Sequence, residues 1–147
     1  MKYINYFKMT IPSLSRNESF ARTVVSAFVS QLDPLVSQLA DIRAAVSEAV
    51  TNCIVHAYGD SEDAGKITIT AKLSEDTAYI KIKDNGCGIE NIKQAMEPLF
   101  TTKPDEERTG LGFAVMESCA DKVKVSSEKN KGTTVNLTFK IETKEVL

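Results

Sequence analysis

The period of the apolar positions changes several times along this chain, and each change marks an element. Residues 3–11 alternate loosely and predict a first strand. Phe20, Val24, Ala27 and Phe28 then recur at helical spacing and predict a helix to about Gln31. Ser15-Arg16-Asn17-Glu18 before it fits a capping box, with serine at the N-cap and glutamate at N3. Asp33-Pro34 ends this helix and opens another, with Asp33 as N-cap and Pro34 at the first helical position. The second helix is long. Leu35, Leu39, Ile42, Val46, Ala49, Val50 and Cys53 carry it to about Ala57, and it ends near Gly59.

The second half alternates with period two. Lys66–Leu73 and Thr77–Lys83 predict two strands joined by Ser74-Glu75-Asp76. The stretch from Ile89 to Thr109 is irregular, with room for a short helix near Asn91–Met96 before Pro98 and Pro104 forbid a longer one. A helix from Gly110 to about Ala120 follows, then strands Lys122–Ser127 and Thr133–Ile141 joined through Asn130-Lys131-Gly132. The order β-α-α-β-β-α-β-β predicts helices on one face of a mixed sheet, an α/β two-layer sandwich. Without repeats or a low-complexity linker, residues 1–147 read as one domain.

Composition narrows the function classes. Hydrophobic content of 42% and charged content of 26% are ordinary for a water-soluble domain. The net charge is −2 and no run of lysine or arginine forms a basic stripe, so direct nucleic-acid binding is not expected short of a local patch. No apolar run approaches the ~20 residues of a membrane span, and Met1–Tyr6 lacks a signal-peptide layout. Cys53, Cys87 and Cys119 are far apart and without C-x-x-C spacing, which reads as reduced thiols in a cytoplasm.

Against this background four polar motifs stand out. Asp84-Asn85-Gly86-Cys87-Gly88 follows a predicted strand. A carboxylate at a strand end suits the exocyclic amino group of adenine, and glycines let the backbone come close to a flat base; a plain turn is the alternative. Glu48 and Asn52 lie four apart on one helix face, and His56 continues the stripe. An Asn oxygen together with phosphate oxygens suits magnesium, and Glu48 one turn earlier suits a general base; a polar surface stripe is the alternative. Gly110-Leu111-Gly112 opens a helix whose free N–H groups suit phosphates, or it is a flexible hinge. Glu97–Thr109, with Lys103 and Arg108, is long enough for a lid, or it is a solvated loop. Neither a Walker nor a Rossmann fingerprint occurs.

Glu48-x-x-x-Asn52, Asp84-x-Gly86-x-Gly88, Gly110-x-Gly112 and Gly132-Thr133 together resemble the N, G1, G2 and G3 boxes of the GHKL ATPase/kinase superfamily. That resemblance implies the Bergerat fold, with ATP or ADP and Mg2+ held under a mobile lid. Asn17–Arg22, Gln31–Pro34, Val46–Asn52 and Pro98–Pro104 bring the chain closer to the anti-sigma-F factors, serine-protein kinases of endospore-forming bacteria, over nearly its whole length. The family resemblance implies a homodimer that sequesters a sporulation sigma factor and phosphorylates a serine of an anti-anti-sigma protein. It implies Glu48 as catalytic base and Asn52 as magnesium ligand. Asp84, Gly86 and Gly88 would meet adenine. Thr101, Lys103, Gly110, Leu111, Gly112 and Thr133 would line the nucleotide, Arg108 would meet its terminal phosphate, and Arg22 would contact both protein partners.

Two other functions compete. A nucleotide-gated sequestering module would need no base, so Glu48 argues against it. A partner-switching kinase for a stress sigma factor fits less well than the sporulation type, given the first-helix motif and Gln31-Leu32-Asp33-Pro34. A histidine autokinase is disfavoured, because His56 is the only histidine and lies inside the nucleotide helix.

Overall fold

The computed structural model describes residues 2–57, 65–88 and 112–142. Its elements are β1 (Asn5–Pro12), α1 (Arg16–Val29) with a 3-10 turn Ser30–Leu32, α2 (Val36–Asn52) with a π-helical turn Cys53–Ala57, β2 (Lys66–Leu73), β3 (Thr77–Asp84), α3 (Gly112–Cys119), β4 (Lys122–Glu128) and β5 (Gly132–Lys140). The strands form one sheet in the order β1-β2-β3-β5-β4, and its inner face packs under the helices as the expected two-layer α/β sandwich.

Every pairing is antiparallel, so the expected mixed sheet is an antiparallel one. β3 and β4 do run the same way, but β5 lies between them. The more apolar strand takes the interior place: Val135, Leu137 and Phe139 of β5 are buried, whereas Val123 and Val125 of β4 are only partly so.

Period two sorts the sheet into two faces. Ile67, Ile69, Ala71 and Leu73 of β2 lie opposite Asp84, Ile82, Ile80 and Ala78 of β3, and all but Asp84 are apolar and buried. Against this floor α2 presents Ile42, Ala45, Val46, Ala49 and Val50, and α3 presents Met116, all buried.

Three expectations for the helices change. Helix α1 buries Ala21, Val25 and Val29, while Phe20 is 51% exposed. Apolar residues ring this helix, so two stripes were possible, and the one with small Ala21 faces inward. Ser15 is itself helical (φ −52°, ψ −39°) and makes no side-chain cap. Glu18 points sideways instead: its carboxylate accepts the Ser47 hydroxyl of α2 and pairs with Arg22 Nε at 3.6 Å. Asp33 is left-handed (φ 51°, ψ 55°) and closes the 3-10 turn, so it ends the first helix without capping the second. There Gln38 takes over. Its Oε1 accepts the N–H of Leu35 at 3.3 Å and of Glu142 at 2.9 Å, and its Nε2 donates to the Lys140 carbonyl at 3.0 Å. One side chain thereby ties the start of α2 to the end of β5.

Candidate active site

Asp84 ends β3 on the inner face and is only 4% exposed. The hydrophobic alternation of β3 puts a carboxylate where the pattern asks for an apolar residue, and the surroundings compensate with donors. Its Oδ1 accepts the backbone N–H of Gly86 at 2.9 Å and of Thr133 at 3.2 Å. Its Oδ2 accepts the Cys53 thiol at 3.5 Å. Burial nevertheless pushes the Asp84 carboxyl above the ordinary carboxylate range, against the pull of these three bonds. Burial, and then the Asp84 charge, push the Cys53 thiol well above its ordinary value, so Cys53 stays a donor. Oδ1 is committed to backbone. Oδ2, held by a weak thiol donor, is the oxygen with capacity for an external amino group.

The turn after Asp84 docks on the β4–β5 hairpin. Asn130 N–H donates to the Cys87 carbonyl at 2.6 Å. Gly88 has φ +76°, and a Cβ on it would lie 2.2 Å from the Glu128 carbonyl oxygen. Gly132 has φ +102°, and its Cβ would lie 2.1 Å from the Asp84 carbonyl oxygen. Chain-to-chain packing alone therefore demands both glycines. A cleft of about 280 Å³ lies beside this junction, lined by Lys83, Asp84, Ser127, Glu128, Gly132 and Thr133 among others. The Thr133 hydroxyl shares a 2.9 Å hydrogen bond with Ser127.

Glu48 and Asn52 come together at the start of α3. A Cβ on Gly112 would lie 3.3 Å from Asn52 Oδ1 and 3.3 Å from Glu48 Oε2. The predicted i, i+4 pair thus faces the N-terminal end of a helix, where backbone donors and the dipole favour anions. Farther along α3, burial raises the Cys119 thiol above its ordinary value, and the Asp41 and then the Glu48 carboxylate add to it. Among the described residues no group of three or more His, Cys, Asp and Glu is arranged to hold a metal ion. The donor set present, one amide oxygen beside a phosphate-favouring helix end, suits magnesium, which takes few protein oxygens and completes its shell with phosphate and water.

Chain position had left Arg22 isolated from the boxes, yet folding does not. Arg22, Ala40, Arg43, Ala44, Ser47 and Glu48 line one cleft of about 420 Å³ between α1 and α2. Arg43 Nη1 donates to Ser26 Oγ at 3.0 Å on its wall. Thr101, Lys103, Arg108, Gly110 and Leu111 lie outside the described residues, as does the segment expected to form a lid.

With this geometry in place the likeness to known proteins is informative. The histidine kinase-like ATPase domain family matches residues 11–139. An anti-sigma F factor of Thermoanaerobacter sp. (strain X514) is 51% identical over 138 residues, covering 94% of this chain and 95% of that one. The chain belongs to the histidine kinase-like ATPase family, among the anti-sigma F factors. A second such factor, from Clostridium novyi (strain NT), is 48% identical over 141 residues, covering 96% of this chain and 98% of its own. The fold likeness reaches farther than sequence. The RsbU and RsbW domains of Rv1364c from Mycobacterium tuberculosis superpose with a TM-score of 0.67 at 19% identity, over 93% of this chain and 32% of that one. The nucleotide-free catalytic domain of histidine kinase ThkA gives 0.59 at 16% identity, over 94% of this chain and 97% of that one.

In this anti-sigma-F-type domain the sequence motifs singled out Asp84, Glu48 and Asn52. They did not indicate that Cys53 bonds Asp84, because a cysteine at a helical core position carries no signal of what lies beyond it. Nor did they join Ser47, Glu18 and Arg22, whose meeting depends on how α1 lies on α2.

Proposed function

We propose that this chain is an ATP-dependent protein-serine kinase that also sequesters a sporulation sigma factor. The observation that carries the reading is the meeting of Glu48 Oε2 and Asn52 Oδ1 at the first residue of α3. A nucleotide-gated binder needs an anion site there but no carboxylate, which would repel phosphate. A kinase needs both, because the attacking serine must lose its proton beside the phosphate it attacks.

In this reading Asp84 Oδ2 accepts the adenine amino group, and Asn52 with phosphate oxygens holds Mg2+, which when bound screens the phosphate charge. Glu48 takes the proton of the partner's serine hydroxyl. The serine oxygen forms a bond to the terminal phosphorus, the bond to the bridging oxygen breaks, and ADP leaves. The substrate is the serine of an anti-anti-sigma protein, and Arg22, in the same cleft as Glu48, contacts both that protein and the sigma factor. Lys103 and Arg108 close on the phosphates. That the relatives are anti-sigma F factors supports the sigma partner. The working form is a cytoplasmic homodimer. No helix among the described residues is long and apolar enough to cross a membrane.

The test is phosphate transfer from labelled ATP to the cognate anti-anti-sigma protein. Glu48→Gln should keep ADP affinity while losing about 10²–10⁴ in transfer rate. Transfer by the variant at the parent rate would overturn the kinase assignment and leave a binding module.

A further inference from the structure

The outer face of the sheet carries a charge pattern that linear order conceals. One row across the strands reads Tyr6, Lys72, Tyr79, Thr138, Lys122, and the next reads Lys8, Thr70, Lys81, Asn136, Lys124. A third reads Thr10, Thr68, Lys83, Thr134, Ser126. Six lysines therefore share these rows with hydroxyls, an amide and two tyrosines, and no row holds a carboxylate. The nearest acid turned this way on a strand is Glu128 at the end of β4, which pairs with Lys131 at 3.2 Å. The net charge of the chain is −2, so this cationic face is a local feature that the overall charge does not reveal.

Aromatic rings gather at one end of the face. Tyr6 is 72% exposed and Tyr3 42%. Tyr3 packs edge-on against Tyr79 with ring centroids 5.7 Å apart, and Lys72 Nζ sits 4.9 Å from the Tyr3 ring centre. Lysines two apart on a strand, Lys81 and Lys83 or Lys122 and Lys124, stand about 7 Å apart. They form a flat grid of point charges bordered by stacking surfaces.

We propose that this outer face binds single-stranded nucleic acid, with the lysines on phosphates and the tyrosines against bases. The proposal is independent of the kinase reading. The composition favours this occupant over three others. Protein interface centres are depleted in lysine. An interfacial membrane contact needs apolar side chains to insert, and these rows contain no Leu, Ile, Val, Phe or Met. A second copy laid face to face would set lysine against lysine.

The experiment is fluorescence anisotropy of the full chain with labelled RNA and DNA strands of about 12 nucleotides, from about 50 mM salt upward. Binding should weaken with salt at a log–log slope of about −0.7 per phosphate contacted. The triple variant Lys81→Gln, Lys122→Gln, Lys124→Gln should flatten that slope by about 2 and keep ADP affinity. Tyr6→Ala should weaken binding about tenfold without changing the slope. The RNA and DNA arms identify which strand is preferred, and duplex DNA should bind more weakly than either. No binding at the lowest salt, a duplex bound as tightly as the single strand, or an unchanged slope in the triple variant would each overturn the proposal. So would capture by phosphatidylserine vesicles without binding to either strand.

Discussion

Replacing Gly112 by alanine inserts one methyl group between the two side chains that meet at the start of α3. The new carbon would lie 3.3 Å from Asn52 Oδ1, 3.3 Å from Glu48 Oε2 and 3.4 Å from Asn52 Nδ2. Comfortable non-bonded separations begin at about 3.5 Å, so both polar ends must retreat by a few tenths of an ångström. They are ends of side chains, and the backbone need not move. Stability should change little. Alanine is better than glycine in a helix interior by up to about 1 kcal/mol, the gain is smaller at a first position, and crowding offsets it. The melting temperature should stay within about 4 °C of the parent. Catalysis should respond more, since a displacement of about 1 Å can cost about 10²-fold. Shifts of a few tenths in the base and the amide together predict a loss of roughly three- to tenfold in kcat. ADP affinity should hold better, because the hydrogen bonds that hold Asp84 come from Gly86, Thr133 and Cys53, and the methyl touches none of them. Phosphate transfer, calorimetry and a thermal melt measure all three. A cycle with Glu48→Gln isolates the cause: in that background the methyl should cost little more. A parent-like kcat in Gly112→Ala would refute the idea that this contact sets the geometry. An undiminished penalty in the Glu48→Gln background would refute its action through Glu48.

Four further expectations follow from the same structure. Asp84→Asn should weaken ADP binding about tenfold or more, the loss of a charge-assisted hydrogen bond, and unchanged affinity by calorimetry would remove Asp84 from adenine. Because burial raises the folded-state pKa of Asp84, its contribution to stability is full below the ordinary carboxylate pKa and is lost as pH rises through the raised one. The stability of the parent relative to Asp84→Asn should fall across that window, and a pH-independent difference would contradict the burial argument. Gly132→Ala should destabilise by about 3 kcal/mol or more, from strain at φ +102° and a Cβ placed 2.1 Å from the Asp84 carbonyl oxygen; a parent-like denaturation midpoint would mean that the turn can reopen at little cost. Arg22→Ala should weaken both protein complexes by about 1–3 kcal/mol if each contact is a buried hot spot, with stability within about 1 kcal/mol because its pair with Glu18 is partly exposed. Normal binding of both partners would remove Arg22 from the shared surface.

Local sequence by itself determined the elements. Period two in Lys66–Leu73 and Thr77–Lys83 and period 3.6 in Leu35–Cys53 reappear as β2, β3 and α2, because each strand or helix must present one apolar face. The i, i+4 spacing of Glu48 and Asn52 and the glycines after Asp84 were legible for the same local reason. What the chain order left open was decided by packing between elements. Packing turned the Ala21, Val25 and Val29 stripe of α1 inward, and the apolar inner face of β5 lies in the sheet between β3 and β4. Glu18 left its cap for Ser47 and Arg22 once α1 lay against α2, and Gln38 did the work expected of Asp33 once β5 ended beside it. The outer lysines formed no run in the sequence, since alternation separates them by at least one residue. Only the register of five strands brought them onto one surface, because hydrogen-bonded neighbours about 4.8 Å apart come from distant parts of the chain.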